Sequence, residues 1–179
     1  MRWFWTAAAV SAISLLPLEC AEIPRPAPEL SFRLASGRAA KLSQFKGKAI
    51  ALEFLLTTCS HCQQTSQLMA RLQAEYGARG FQALGVAIND EKGGLTAEYV
   101  KQFQLKYPVG WTARREAVTS FLQHPPAASM MMPQLIFIDR QGTIRAQYAG
   151  TDPFFQNEEA GMRTMIEFLL GKLAPGKAK

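Results

Sequence analysis

The chain predicts an α/β domain in which a central mixed β-sheet is covered by helices on both faces. Three observations carry that expectation. Residues 49–56, 81–88 and 135–139 are short, mostly apolar runs of the length expected for buried strands. Segments with helical spacing of apolar residues separate the first run from the second and the second from the third. After the third run a tight turn leads to another extended run and then to a last amphipathic segment, which adds an antiparallel hairpin and a terminal helix.

The elements follow in order. Residues 30–34 alternate like a strand, Ser36-Gly37 turns, and residues 38–42 supply its hairpin partner. Residues 43–48 are a short connection with a Gly stop, leading into the central strand 49–56. Residues 60–79 read as a helix with Leu68, Met69, Leu72 and Tyr76 on one face, stopped by Gly77 and Gly80. Strand 81–88 ends at Asn89-Asp90, and Thr96 is expected to cap a helix running through Tyr99, Val100 and Phe103. A short strand at 108–112, a short helix at 113–122 and a loop from His124 precede strand 135–139. Arg140-Gln141-Gly142 turns the chain back into strand 144–148. Residues 157–173 close the fold as a helix with Met162, Met165, Ile166, Leu169 and Leu170 inward.

The 179 residues suffice for one domain with a full core. Met1-Arg2 followed by an apolar stretch to Leu18 fits a secretory signal, with an uncleaved short membrane anchor as the alternative, over residues 1–20. Residues 21–29, with three prolines, read as a linker, residues 30–174 as the domain and residues 175–179 as a flexible tail. The domain is therefore expected outside the cytoplasm, periplasmic or on the outer face of the membrane. A lipoprotein signal would put a Cys first in the mature chain, but Glu19 stands where a small residue belongs, so Cys20 is expected to leave with the signal. The net charge of +6 is scattered and not interleaved with aromatics, which argues against a nucleic-acid partner.

Of three cysteines, Cys59 and Cys62 form a CxxC pair where the central strand runs into a helix. Exposed N–H groups and the partial positive charge of a helix N-terminus favour thiolate, which makes the first sulfur a nucleophile. The second sulfur lies one turn along the same face, close enough for a disulfide. Structural zinc would need a second Cys/His pair, which is missing, so no metal site is expected. Met130-Met131-Met132 with His124 could suit Cu(I), but an apolar rim around the dithiol is the plainer reading.

Four features in register resemble the thioredoxin fold, and within it the exported TlpA/ResA-type thiol-disulfide oxidoreductases. They are the strand–Thr57-Thr58-Cys59-Ser60-His61-Cys62–helix passage, the opening from Phe32 through Leu42-Ser43 to Phe45-Lys46-Gly47-Lys48, the αβ segment between Asn89 and Trp111, and Met132-Pro133 before Gln134 to Gly142. The resemblance implies a central mixed sheet flanked by helices, with an N-terminal β-hairpin and an inserted αβ segment. It implies an enzyme that exchanges disulfides with protein partners and needs no organic cofactor. Reduction is favoured over oxidation, with a membrane-bound electron donor as a further partner and a monomer expected.

Residue by residue, the resemblance makes Cys59 the nucleophile, Cys62 the resolving thiol and Glu53 a buried carboxylate that relays the proton of Cys62. It puts Pro133 at the family's cis-proline and Thr58, Met132 and Pro133 against the substrate chain, where Met132 would offer backbone hydrogen bonds. Thr58 and Ser60 replace the Trp and Pro usual in the motif. His61 is instead similar to the DsbA-type oxidases; as imidazolium it would stabilise the Cys59 thiolate and make the disulfide more oxidising. A thiol peroxidase is the enzymatic alternative, but it would want Thr where Leu56 stands; a copper-binding chaperone is the non-enzymatic one.

Overall fold

The structure, a computed structural model, describes residues 22–125 and 129–171. The expected signal segment with Cys20, residues 126–128 of the loop, and the tail lie outside the described residues. No helix among those described is long and apolar enough to cross a membrane.

Eight strands form one sheet: β1 (Arg25–Pro26), β2 (Ser31–Leu34), β3 (Ala39–Lys41), β4 (Ala49–Leu55), β5 (Phe81–Ala87), β6 (Val109–Trp111), β7 (Gln134–Ile138) and β8 (Thr143–Ala149), in the spatial order β1-β8-β7-β4-β5-β6-β2-β3. β4, β5 and β6 run parallel, and the remaining pairings are antiparallel. The helices are α1 (Ser60–Tyr76), α2 (Gly94–Gln102), α3 (Arg115–Leu122) and α4 (Glu158–Leu169), with 3-10 turns at Leu42–Phe45, Gly77–Arg79 and Pro153–Asn157.

The central strand serves two cores because its side chains alternate. Ile50, Leu52 and Phe54 join Val118, Phe121 and Leu122 of α3 on one face. Ala49, Ala51 and Leu55 join Leu68, Met69 and Leu72 of α1 and Met162 and Ile166 of α4 on the other. Ala83 and Ala87 of β5 keep that second face shallow, which lets α1 seat closely. Glu53 shares the parity of Ala51 and Leu55 and so points to the α1 side.

The mixed sheet, the N-terminal hairpin and the αβ insertion follow the expectation, with differences at three places. Part of the segment read as a linker is the sheet's edge: Arg25 pairs with Ile144 and Pro26 with Thr143. The buried Arg25 guanidinium holds it there, donating to the Phe121 carbonyl at 2.8 Å and to Gln147 Oε1 at 2.9 Å. An edge strand tolerates Pro26 because only one side needs ladder hydrogen bonds. α2 starts two residues before Thr96, and Asp90 rather than Thr96 gathers its N-terminus, accepting from the backbone of Lys92, Gly93 and Thr96 at 2.7–3.1 Å. A 3-10 turn at 153–157 precedes α4, which begins at Glu158.

Candidate active site

β4 ends at Leu55, and a four-residue turn carries the chain to Cys59, the N-cap of α1. The turn is pinned from outside: the Thr57 amide donates to Asn89 Oδ1 at 3.1 Å, Asn89 Nδ2 to Thr57 Oγ1 at 3.0 Å, and Gln63 Nε2 to the Thr57 carbonyl at 3.1 Å. Both thiols are free, Cys59 half-buried and Cys62 wholly buried. The Cys62 amide donates to Cys59 Sγ at 3.3 Å, so the helix N-terminus addresses the outer sulfur directly. Burial pushes the Cys62 thiol up; its hydrogen bond with Cys59 and the nearby Glu53 push it the same way.

Glu53 is 0% exposed and lies beneath this turn of α1. The Ser66 hydroxyl donates to its Oε2 at 2.7 Å, and Oε1 has no hydrogen-bond partner among the described residues. Burial raises its carboxyl well above the usual range, Ser66 opposes the shift, and Glu158 and Cys59 add to it. Tyr99 Oη lies 3.0 Å from Ser66 Oγ and 3.2 Å from the Cys62 carbonyl, and Tyr107 Oη donates to the Ser66 carbonyl at 3.3 Å. The buried carboxylate thus ends a chain of hydroxyls running from α2 through α1.

Met132–Pro133 is a cis peptide. Phe54 pairs with Gln134 across β4 and β7, so Pro133 sits opposite Leu55, at the sheet end from which the Cys59 turn leaves. Pro133 is buried and Met132 half-buried, packed on the same core cluster as Cys59. The loop is braced by Gln134 Nε2, which donates to the Met131 carbonyl at 2.6 Å, and by the Gly150 amide, 3.2 Å from the same oxygen. Only glycine fits at 150: a Cβ there would stand 2.1 Å from the Met132 carbonyl oxygen.

Thr58 is exposed beside Cys59, and the half-buried His61 ring stands edge-on to Phe155 with centroids 4.7 Å apart. Leu56 packs into the α3-side core and offers no hydroxyl to a peroxide. His124 Nδ1 is 3.0 Å from the adjacent Pro125 carbonyl. The structure therefore brings Cys59, Cys62 and Glu53 together, with Thr58 and His61 at their rim and Pro133 at the same sheet end. Sequence reasoning missed Ser66, Tyr99, Tyr107, Asn89 and Glu158. Only Ser66 left a signal, four residues after Cys62 on one helical face.

The sequence profile of the AhpC/TSA family matches residues 23–147. The thiol-disulfide oxidoreductase ResA of Bacillus thuringiensis subsp. konkukian is 28% identical over 138 residues, covering 77% of this chain and 76% of that one. The thioredoxin-like protein YneN of Bacillus subtilis is 26% identical over 129 residues, covering 70% of each. A crystal structure of a thiol:disulfide interchange protein of the thioredoxin family from Chlorobium tepidum TLS superposes with a TM-score of 0.69 at 25% identity, covering 84% of this chain and 99% of the other. Protein SMc02350 of Sinorhizobium meliloti 1021 shares the fold alone, with a TM-score of 0.73 at 16% identity over 90% of this chain and 91% of that one.

Proposed function

The chain belongs to the AhpC/TSA family, and we propose that it is a thioredoxin-fold thiol-disulfide oxidoreductase that reduces disulfides of partner proteins outside the cytoplasm. One observation carries the reading: a half-exposed sulfur at the α1 N-terminus, addressed by a helix amide, with a buried sulfur one turn behind it.

In the reducing direction Cys59, as thiolate, attacks one sulfur of a partner disulfide. The partner's S–S bond breaks, its other sulfur leaves as thiolate, and a mixed disulfide remains. Cys62 then gives up its proton and attacks the Cys59 sulfur. The Cys59–Cys62 bond forms, the partner's second sulfur leaves, and two electrons have passed to the partner. Glu53 suits the proton transfer. Burial sets its carboxyl above the ordinary range, which makes it a stronger proton acceptor than a solvated carboxylate. Burial, the Cys59 hydrogen bond and Glu53 hold the proton on Cys62 until that acceptor takes it.

The raised Cys62 thiol also supports the direction. A high-pKa thiol gains little stabilisation as thiolate, so Cys62 does not favour the dithiol over the disulfide, which suits a reductant. Thr58 and the Met132-Pro133 loop flank the site for an extended partner segment, with Met132 offering backbone hydrogen bonds. A membrane-bound thiol donor would return the dithiol to its reduced state.

Insulin reduction tests the proposal. Cys59→Ser is expected to abolish turnover, and Cys62→Ser to accumulate mixed disulfides. Full activity in both variants would overturn it.

A further inference from the structure

The strand register lines up one row of residues across the dithiol end of the sheet. Leu55 of β4 pairs with Ala87 of β5, Ala87 with Trp111 of β6, and Trp111 with Arg33 of β2. The Cys59 turn leaves this row at Leu55, with the Met132-Pro133 loop on one side and the β6–β2 edge on the other. The turn is also tied to that edge. Thr57 bonds Asn89, the loop continues to Gly93, and the Trp111 indole lies against the Gly93 backbone, where a Cβ would stand 2.6 Å from Nε1.

Beside the Gly93 loop is an open hollow of about 400 Å³, lined by Arg33, Ala35, Gly37, Lys92, Gly93 and Trp111. Its side chains offer donors and no acceptor. Arg33 Nη1 donates to the Gly37 carbonyl at 3.1 Å, which holds the guanidinium at the rim. The rest of its fork, Trp111 Nε1 and Lys92 Nζ meet no acceptor among the described residues. None of the ion pairs among those residues engages Arg33 or Lys92. Asp90 turns its carboxylate into its own loop, onto the Lys92, Gly93 and Thr96 amides, and the exposed Glu91 is not part of the lining.

We infer that this hollow is a second docking point for the partner protein: it takes the carboxylate of an Asp or Glu side chain about three to five residues from the cysteine that Cys59 attacks. The inference rests on the thiol-disulfide reading and adds to it a sequence preference in the partner.

The donor set fits a carboxylate. A guanidinium with free N–H groups can meet both carboxylate oxygens, an ammonium adds a point charge, and the indole N–H is a third donor. Arg33 and Lys92 line one hollow with no acid between them, so an incoming carboxylate also relieves their mutual repulsion. The spacing follows from the sheet. Neighbouring strands lie about 4.8 Å apart, so the three steps from β4 to β2 span about 14 Å. An extended chain covers about 3.3 Å per residue, roughly four residues over that span. A partner segment held at Met132 and Cys59 and running on past Gly93 reaches Trp111 and Arg33 at that offset.

Peptides with one cysteine, blocked as its disulfide with neutral 2-mercaptoethanol, test this on the full chain in its dithiol form. Asp, Asn or Lys is placed about four residues before or after the cysteine, the offset set by the sheet. The second-order rate of peptide reduction is followed by mass, less the rate in Cys59→Ser, which removes any contribution of Cys20. On one side of the cysteine, Asp is expected to react about three- to fivefold faster than Asn, the scale of one exposed ion pair, and Lys correspondingly slower. The Asp/Lys ratio should shrink at about 0.5 M salt and invert in the double variant Arg33→Glu, Lys92→Glu. Trp111→Phe, which keeps a ring and removes the N–H, should lower the ratio without inverting it. Each ratio is taken within one variant, so a loss of folded protein cancels. Moving the Asp to about ten residues from the cysteine, beyond the reach of the hollow, should abolish its effect, which separates docking from attraction to the net charge of +6. An Asp/Lys ratio near one, a ratio that charge reversal leaves intact, or an Asp effect independent of position would each overturn the inference and leave the proposed function standing. A wild-type chain that reduces none of the peptides faster than Cys59→Ser would sink the proposed function, and the inference with it.

Discussion

The Ser66 hydroxyl donates to Glu53 Oε2 at 2.7 Å, joining two residues 13 positions apart, one in the central strand and one in the dithiol helix. Ser66 lies one turn beyond Cys62, so the same helix carries the buried thiol and the hydroxyl that meets Glu53. Tyr99 Oη, 3.0 Å from Ser66 Oγ, extends the chain of hydroxyls to α2. A buried carboxylate with one such donor can ionise, but at a cost that a solvated one does not meet.

That cost has a pH signature. The Glu53 carboxyl is raised in the folded protein, so its contribution to stability is fully present below the ordinary carboxylate range and is lost as pH rises through the folded value. Glu53→Gln keeps the shape and the Ser66 contact without the charge. Denaturant titrations of the reduced proteins should show the wild type losing stability relative to this variant from pH 5 to 9, by about 1–3 kcal/mol at the alkaline end. A difference that does not change with pH would mean that Glu53 does not titrate in this window.

The same substitution separates the two chemical steps. Stopped-flow mixing with a disulfide substrate should find formation of the Cys59 mixed disulfide unchanged and its resolution by Cys62 slowed about a hundredfold, the scale of a lost general base. Equal slowing of both steps would move Glu53 out of the relay role.

Ser66→Ala removes the hydroxyl that donates to the buried Glu53 Oε2. Its ionised form loses its donor, so the resolution step should need a higher pH, and stability should fall by about 1–3 kcal/mol. Tyr99→Phe removes only the outer hydroxyl and should cost about 0.5–1.5 kcal/mol with a smaller shift of the same profile. Thermal melts and pH–rate curves on the two variants check the order.

Gly150→Ala drives a methyl group into the Met132 carbonyl, a backbone atom that cannot swing aside. It should destabilise the fold by about 1–3 kcal/mol and displace the Met132-Pro133 loop. Reduction of a protein disulfide should therefore suffer more than reaction of Cys59 with a small disulfide. Equal losses on both substrates would argue against a docking role for the loop.

Asp90 holds the start of α2 through the Thr96 hydroxyl and three backbone amides. Burial pushes its carboxyl up, but those four bonds together hold it below the usual range. Its stabilisation is present above the ordinary carboxylate value and is lost as pH falls through the lower folded one. Asp90→Ala should cost about 2–4 kcal/mol at pH 7, measured by denaturant titration, and progressively less toward pH 2.

Some of this was legible residue by residue. The strand-to-helix passage at 55–60, the CxxC spacing, the parity that turns Glu53 toward α1 and the apolar stripe of α1 are local periodicities, and a chain declares those in its own order. A periodicity says which side of an element is buried but not which distant element fills the space above it. The spacing puts Ser66 one turn from Cys62, but only the tertiary structure sets Glu53 beneath it. Nothing local marks the Tyr99 hydroxyl or Glu158, yet Tyr99 reaches Ser66 and Thr65 meets Glu158 across 93 positions. Arg25 sits in a stretch of prolines, and its bonds to the Phe121 carbonyl, 96 residues on, and to Gln147, together with the pairing of that stretch with β8, make it an edge of the sheet.

The amino-acid order alone determined the two sulfurs, their place at a helix start and the class of chemistry they support, because these follow from spacing within one turn. The three-dimensional packing alone decided which hydroxyl meets Glu53, which carboxylate meets Thr65 and which glycine lets the Met132-Pro133 loop close. Those contacts join segments whose separation in sequence carries no local trace, and they form only when the sheet has brought α1, α2 and α4 to one face.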